Sequence, residues 1–461
     1  MPGKYFDLAL DPTLGGATPS DILLPSQKAV KTYIDNAFNG MLSDWWYGVE
    51  FDTTDPSPTL TRIGKLDLHI GLPIQDGMRR CLVTDAGAVA YLDAADSTLL
   101  EDGTAADLTG ASGQVMVEIP RHWRKFEESG TVRQVKLSPF PLQGFTEVPK
   151  MYVSAYEAAL DRTNSKLASV VNTTTDYRGG DNTSSWDGTY RSLLGMPVTN
   201  IDTTTFRTYA RARGTGWEMY ACEVHKIIYW LFCVEYATFN SQLAFNSART
   251  AVGYMQGGLG NGVTTIAIAT WNTHNSRNPM VPCGVTNSLG NATGTVSYAV
   301  TASDDSTLIT FSVPSYRGIE NPFGHIWKMS DGAMMVSETV DEVATPHFYV
   351  CPLEEHASWA SSKNSYYVLK GTLPTASGVY AKRHLFGEDG EMVPDQAGGT
   401  GTSATTYLCD YFYITNNSTR AVFFGGCANY GARAGLAFAA THYDFSYAYE
   451  NYGSRLCYFP F

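Results

Sequence analysis

Apolar positions first fall into a regular pattern after residue 25. Residues 1–20 are punctuated by Pro2, Pro12, Gly15, Gly16 and Pro19 and read as loop. Pro25-Ser26 is a helix start signal, with Ser26 placed to cap, and Val30, Ile34, Ala37 and Met41 then recur at spacings of 4, 3 and 4. This stripe, under two heptads long, is one face of a short amphipathic helix. Two readings stay open for it: packing on its own chain, or self-association about an axis, most simply as a trimer.

From Trp45 to about Gly110 the period shortens to that of strands and turns. WWYGVEFD reads as a strand, Asp55-Pro56-Ser57-Pro58 as a turn, and LTRIGKLDLHIGLPI as alternating strand. QVMVEIPRHWRKF (114–126) and VRQVKLSPFPL continue the β pattern, the latter ending at Pro139 and Pro141. Residues 162–190 are rich in Gly, Ser, Thr and Asn and predict a long surface loop. One strong helix follows. Thr215-Gly216-Trp217-Glu218 has the form of a capping box, and the helix should run to about Tyr236. Trp217, Ala221, Val224, Ile228, Leu231 and Val234 share a face, but Ile227, Trp230 and Phe232 make it apolar nearly all round, the mark of a central, buried helix. Glu235 at its end is then a paired buried carboxylate or a functional acid. Beyond residue 250 the chain reads as short strands and turns, with 394–406 as a flexible link. The fold class is α+β.

Composition narrows the function. The 461 residues suggest two to four domains. Net charge is −13, charged residues are only 17%, and aromatics reach 13% with 28 tyrosines. That profile excludes a disordered chain, which needs few aromatics and dense charge. It opposes a nucleic-acid binder, which needs a basic field. No apolar run approaches the length of a membrane span, the longest being Ile227 to Val234, so no membrane insertion is expected. The N-terminus lacks the basic-then-apolar layout of a secretory signal. Eight cysteines are spread without a CxxC pair and are expected as free buried thiols.

Catalytic and metal motifs are missing: no HExxH, GxSxG or Walker A sequence occurs. The cluster Gly257 to Gly262 neither follows a clear strand nor opens a helix, so it does not read as a phosphate cradle. His325 in GHIW reads as a packed core histidine, and Glu354, Glu355 and His356 as surface charges. The chemistry concentrates at the C-terminus, in FFGGCANYGARAG followed by LAFAATHYDFSYAYENYGSRLCYFPF. From Ala428 to Ser454 there is no Lys, Met, Gln or Trp, and only one Glu. Tyrosine offers a large, rigid, amphipathic contact area, while Ser, Gly and Asn supply adaptable hydrogen bonds, which is the mix of a paratope. If 442–449 were one strand, Tyr443, Phe445, Tyr447 and Tyr449 would share a side. That suits a binding face and a packed terminal hairpin alike.

The terminal segment GGCANYGARAG…SYAYENYGSRLC resembles the variable region of diversity-generating-retroelement target proteins. These are phage and bacterial binding proteins with a C-type lectin fold of the formylglycine-generating-enzyme type. In that family, adenines are randomised chiefly in AAC or AAT codons, which never yield Lys, Met, Gln, Glu or Trp. Glu450 alone departs from this filter. The resemblance implies a fixed frame of Gly425, Gly426, Gly431, Gly435, Gly453 and Arg455. It implies receptor contacts at Tyr430, Arg433, Phe438, His442, Tyr443, Asp444, Phe445, Tyr447, Tyr449 and Tyr452, with Cys427 as a further variable position. QVMVEIPRHWRKF, KMYVSAYEA, FRTYARARGTGWEM and RGIENPFGHIW are similar to phage-borne relatives of the fold, and LPSQKAVKTYIDNA resembles a helical segment near the N-terminus of phage tail fibres.

The layout so implied is an attachment segment with a trimerisation helix at 1–42, a small β-rich domain at 43–110, and a C-type-lectin-like receptor-binding domain at 111–461 whose variable region spans about 425–456. The implied function is a phage tail protein that is no enzyme. It would be made in the host bacterial cytoplasm and carried on the virion, would bind a host-surface protein or glycan, and would meet other tail proteins through its N-terminus. No cofactor is expected. Calcium, common in lectin-like domains, is left open because no clustered carboxylate motif is present. The alternatives are a bacterial surface adhesin of the same fold, or a formylglycine-generating-type oxidase, against which the distant Cys427 and Cys457 argue.

Overall fold

The structure is a computed structural model and describes residues 45–187, 189–190 and 193–461. The expected helix with its stripe from Val30 to Met41 lies outside the described residues. The architecture is α+β and dominated by strands. Tyr47–Asp52 sits inside a five-stranded antiparallel sheet, between Thr61–Gly64 and Val132–Ser138, with His122–Ser129 and Thr146–Val148 beyond. A second sheet takes Trp217–Met219, Leu456–Tyr458, Met151–Ser154, Gln114–Ile119, Arg79–Val83 and Val89–Tyr91 in that order.

Strand pairing therefore runs straight across residue 110. Tyr47–Asp52 bonds to Val132–Ser138, and Arg79–Val83 to Gln114–Ile119. One apolar core extends from Tyr47 to Phe459. The residues from 45 to 110 thus share their sheets with later strands.

The central helix is Cys222–Tyr236, and every residue in it but Glu223 is buried. It starts later than the capping-box reading placed it. Gly216 turns at φ +82°, and Trp217–Met219 is claimed as an edge strand by Leu456–Tyr458. Ala221 precedes the helix without a side-chain cap. The Glu218 carboxylate accepts from Arg211 Nε at 2.9 Å and meets His356 Nδ1 at 3.1 Å. His356 is thereby a paired group, whereas Glu354 and Glu355 are exposed, as expected. The charged groups on the helix are partnered. Lys226 reaches Glu391 at 2.9 Å, and Glu235 holds the Arg317 guanidinium at 2.6 Å and the Tyr316 hydroxyl at 3.0 Å. Glu235 is the paired carboxylate of the two options.

Two further local readings change. LTRIGKLDLHIGLPI is a strand only as far as Gly64, whose φ of +81° breaks the alternation, and Leu66–Gly71 is a helix. Thr203–Arg211 is a helix that the apolar pattern did not mark; Asp202 caps it by accepting from the Thr205 N–H at 2.7 Å. All eight cysteines are buried and unpaired, in line with the expected free thiols. Among the described residues, no helix is long and apolar enough to cross a membrane.

Candidate functional site

The terminal segment is built on the largest sheet. Trp327–Val340, Thr419–Gly425, Gly435–Thr441 and Tyr411–Ile414 lie side by side in it, the last two in parallel with Phe412 opposite Ala439. The central helix fixes this sheet from behind. The His225 ring stacks on Phe424 at 4.0 Å, and its Nε2–H donates to the Leu436 carbonyl at 2.8 Å. Burial holds His225 down at about 3, so it is neutral and its Nδ1 accepts from the Tyr220 hydroxyl.

The turn 323–328 ties the segment together. Gly324 N–H donates to Gly425 O, Ala428 N–H to His325 O, and Trp327 N–H to Asn451 O, at 2.9–3.0 Å. That turn rests on buried charges. Glu157 meets His325 Nδ1 at 2.5 Å and Lys328 Nζ at 2.8 Å, and Lys328 also donates to the Ile326 carbonyl. His325 is a packed, bonded histidine, as its sequence context suggested. Two of the implied frame residues are tightly packed. Arg455 is fully buried and donates to the carbonyls of Ser154, Glu320 and Asn321. Gly426 sits at φ +71°, where an added Cβ would come 2.8 Å from the Phe438 ring. Gly426→Ala should therefore cost about 2–4 kcal/mol, from left-handed backbone plus crowding. Urea unfolding monitored by fluorescence measures it, and a loss under about 0.5 kcal/mol would contradict this account.

Residues 442–451 form turns, not the strand on which the parity argument relied. The loop is fastened at four backbone points to three other parts of the chain. Tyr443 O accepts from Ala421 N–H, Phe445 O from Thr203 N–H, Tyr449 O from Asn200 N–H and Asn451 O from Trp327 N–H, at 2.9–3.2 Å. Asp444 Oδ1 accepts from the Ser446 N–H at 3.0 Å and hydroxyl at 2.7 Å, and these bonds hold the carboxyl below its usual range. A loop so anchored presents side chains with little left to order on binding.

The implied contact residues separate into floor and face. Phe438, Phe445 and Tyr452 are buried, so three of the ten implied contacts lie beneath the surface. Phe438 and Tyr452 make a packed floor with Trp327, ring centroids from Trp327 being 4.7 and 5.8 Å away. Cys427 is sealed as well, held by Asn429 and Asn451, and burial pushes its thiol up to about 12. It offers neither a contact nor a reactive thiolate.

The face keeps Tyr430, His442, Tyr443, Tyr447 and Tyr449 half-buried, with Arg433 and Asp444 exposed. Its rings form a continuous ladder. His442 lies 3.9 Å from Tyr443, Tyr443 stacks on Tyr447 at 3.5 Å and 2°, and Tyr447 on Tyr449 at 6.1 Å and 19°. Burial, then the charge of Arg420, lowers His442 to about 4, leaving it neutral at pH 7.

The ladder also recruits residues that the sequence reading passed over. Tyr413 meets His442 at 5.4 Å, Tyr411 packs against Tyr413 and Tyr380, and Arg433 lies over Tyr411 at 5.3 Å. At the other end Arg277 lies over Tyr449 at 5.4 Å. The signal for Tyr411 and Tyr413 was their alternation with buried Phe412 and Ile414 in DYFYIT. Nothing in the sequence places Arg277 here.

No protein-family model matches the chain, and no curated protein matches it. Among solved structures it aligns with a Major Tropism Determinant U1 Variant over 87% of this chain and 88% of that one, at 10% identity and a TM-score of 0.21, a likeness too slight to bear on fold or function.

Proposed function

We propose that the chain is a receptor-binding protein of a phage tail, with a C-type-lectin-like body that binds a host-surface protein or glycan through the ring ladder of its terminal segment. The observation that carries this reading is the ladder itself. Tyr443, Tyr447 and Tyr449 are half-exposed, share one surface, and sit on a loop fastened at four backbone points. Rigid aromatic anchors on an ordered scaffold bind with small entropic cost. The split into floor and face also fits a surface whose contacts change while its fold does not. The contact set is then Tyr430, Arg433, His442, Tyr443, Asp444, Tyr447 and Tyr449. A binding role, not an enzymatic one, is supported by the sealed Cys427. Attachment and trimerisation through residues 1–42 belong to the same proposal and would multiply weak contacts by avidity.

The test is the combined Tyr443→Ala, Tyr447→Ala and Tyr449→Ala variant. Its unfolding midpoint should stay near that of the parent, and adsorption to host cells should fall by about 100-fold or more. Unchanged adsorption by a folded variant sinks the reading.

A further inference from the structure

We propose that Arg277, outside the 425–456 segment, is a partner-binding residue that receives a carboxylate from an acidic segment of a receptor protein, and that Arg433 does the same at the far end of the ladder. This rests on the receptor-binding reading and adds the chemistry of the partner.

The first support is the state of Arg277. Buried guanidiniums elsewhere in the chain each have at least one acceptor, Arg207 in Asp331, Arg317 in Glu235 and Arg455 in three carbonyls, although the Arg455 Nε is itself unpartnered. Arg277 is half-buried, its Nε is sealed from solvent without an acceptor, and its contact is the Tyr449 ring. Among the described residues no carboxylate lies within ion-pair distance of it or of Arg433. A sealed donor without an acceptor is unfavourable, and a carboxylate arriving at the guanidinium would complete it. The backbone that sets it there is itself strained, with Ser276 at φ +55° and Arg277 at φ +65°.

The second support is charge. The chain carries −13, yet the face brings together Arg277, Arg420 and Arg433 against Asp444 and Glu450. Asp444 is already engaged by Ser446 and lies 3.8 Å from Arg420. The two ends of the ladder thus each carry an arginine over a tyrosine ring and outside the salt bridges of the described residues, which favours an acidic partner.

The third support selects protein over glycan. His442 at 3.9 Å and Tyr447 at 3.5 Å cannot share one face of Tyr443, so both of its faces are covered. Tyr447 is likewise held between Tyr443 and Tyr449, and Tyr449 carries Arg277. The apolar face of a pyranose therefore finds few open ring faces to stack on. What the ladder presents outward is ring edges, which are the positive rim of the aromatic quadrupole, together with guanidiniums. Both seek oxygen acceptors.

The experiment measures retention of the full chain on host envelope vesicles, untreated, protease-treated or periodate-oxidised, for the parent, Arg277→Gln, Arg433→Gln and the double variant. Each single change should weaken retention by about 10-fold, and the double variant should show a flatter salt dependence. Protease should abolish retention and periodate leave it intact. Arg277→Lys, which keeps the charge but not the fork, should recover part of the loss. A double variant that binds like the parent, with the same salt slope, overturns the proposal. Loss with periodate and not with protease overturns the protein assignment. The triple tyrosine variant, run alongside, separates the two levels. If it alone loses binding, only this inference fails; if it too binds normally, the receptor-binding reading fails.

Discussion

Replacing Glu157 by alanine is expected to lower the unfolding free energy by about 3–5 kcal/mol, because it removes the carboxylate that keeps the buried Lys328 amine, already lowered by burial to about 8, protonated and paired. Lys328 is fully buried, and Glu157 is its carboxylate partner at 2.8 Å. The pair matters beyond stability, since Lys328 and His325 lie in the turn that hydrogen-bonds both Gly425 and Asn451. Burial pushes Glu157 up, but the charge of Lys328 and then the His325 contact outweigh it and hold the carboxyl at about 2. A carboxylate lowered on folding contributes stability that is complete above its unfolded value, about 4.5, and is lost as pH falls toward 2. Urea titrations at about pH 7 and about pH 3 should therefore show the parent losing stability on acidification, with that component missing in Glu157→Ala. The double variant Glu157→Ala, Lys328→Met should recover part of the loss, because the uncompensated charge is gone. A Glu157→Ala protein within about 1 kcal/mol of the parent would show that the pair does not hold the turn.

Sequence pattern captured what depends on local periodicity and composition. The central helix was readable because Ile227, Trp230 and Phe232 leave it no polar face, and the burial of Ile227 to Tyr236 follows. The terminal segment was readable from its residue types. What pattern could not supply was set by distant pairing. Trp217–Met219 is a strand because Leu456–Tyr458 lies beside it, some 240 residues away, and that partner overrides a local capping signal. The same limit applies at the site. Phe438 and Tyr430 look alike as candidate contacts, but Gly435–Thr441 is buried on both faces and packs Phe438 onto Trp327, while Tyr430 stays half-buried on the rim. Arg277 joins the face only because the helix Ile268–Asn275 ends at Ser276, and no spacing rule links it to Tyr449. The parity argument for 443–449 failed because Asp444 and Ser446 close a local turn, the side-chain bond that competes with strand pairing.

Trp327→Ala should abolish adsorption even though Trp327 is only 1% exposed and touches no partner. Its ring carries Tyr430 at 5.3 Å, Phe438 at 4.7 Å and Tyr452 at 5.8 Å, and Tyr452 in turn supports Tyr447 at 5.0 Å. Removing it leaves a cavity under the whole ladder and should cost about 3–5 kcal/mol. The tyrosines would remain on the surface but lose their fixed directions, and a binding face that must order itself on contact gives up much of its affinity. Trp327→Phe keeps most of the floor and separates this effect from unfolding. It should retain the parent's near-ultraviolet circular dichroism, lose about 1–2 kcal/mol and weaken adsorption by about 10-fold. The informative comparison is with Tyr443→Ala, which removes a contact and leaves the floor intact. If Trp327→Phe adsorbs like the parent while Tyr443→Ala does not, the exposed rings act independently of their support. If both weaken adsorption, and the double variant weakens it by less than the product of the two, floor and face work as one unit, as the chain of ring contacts from Trp327 through Tyr452 to Tyr447 requires.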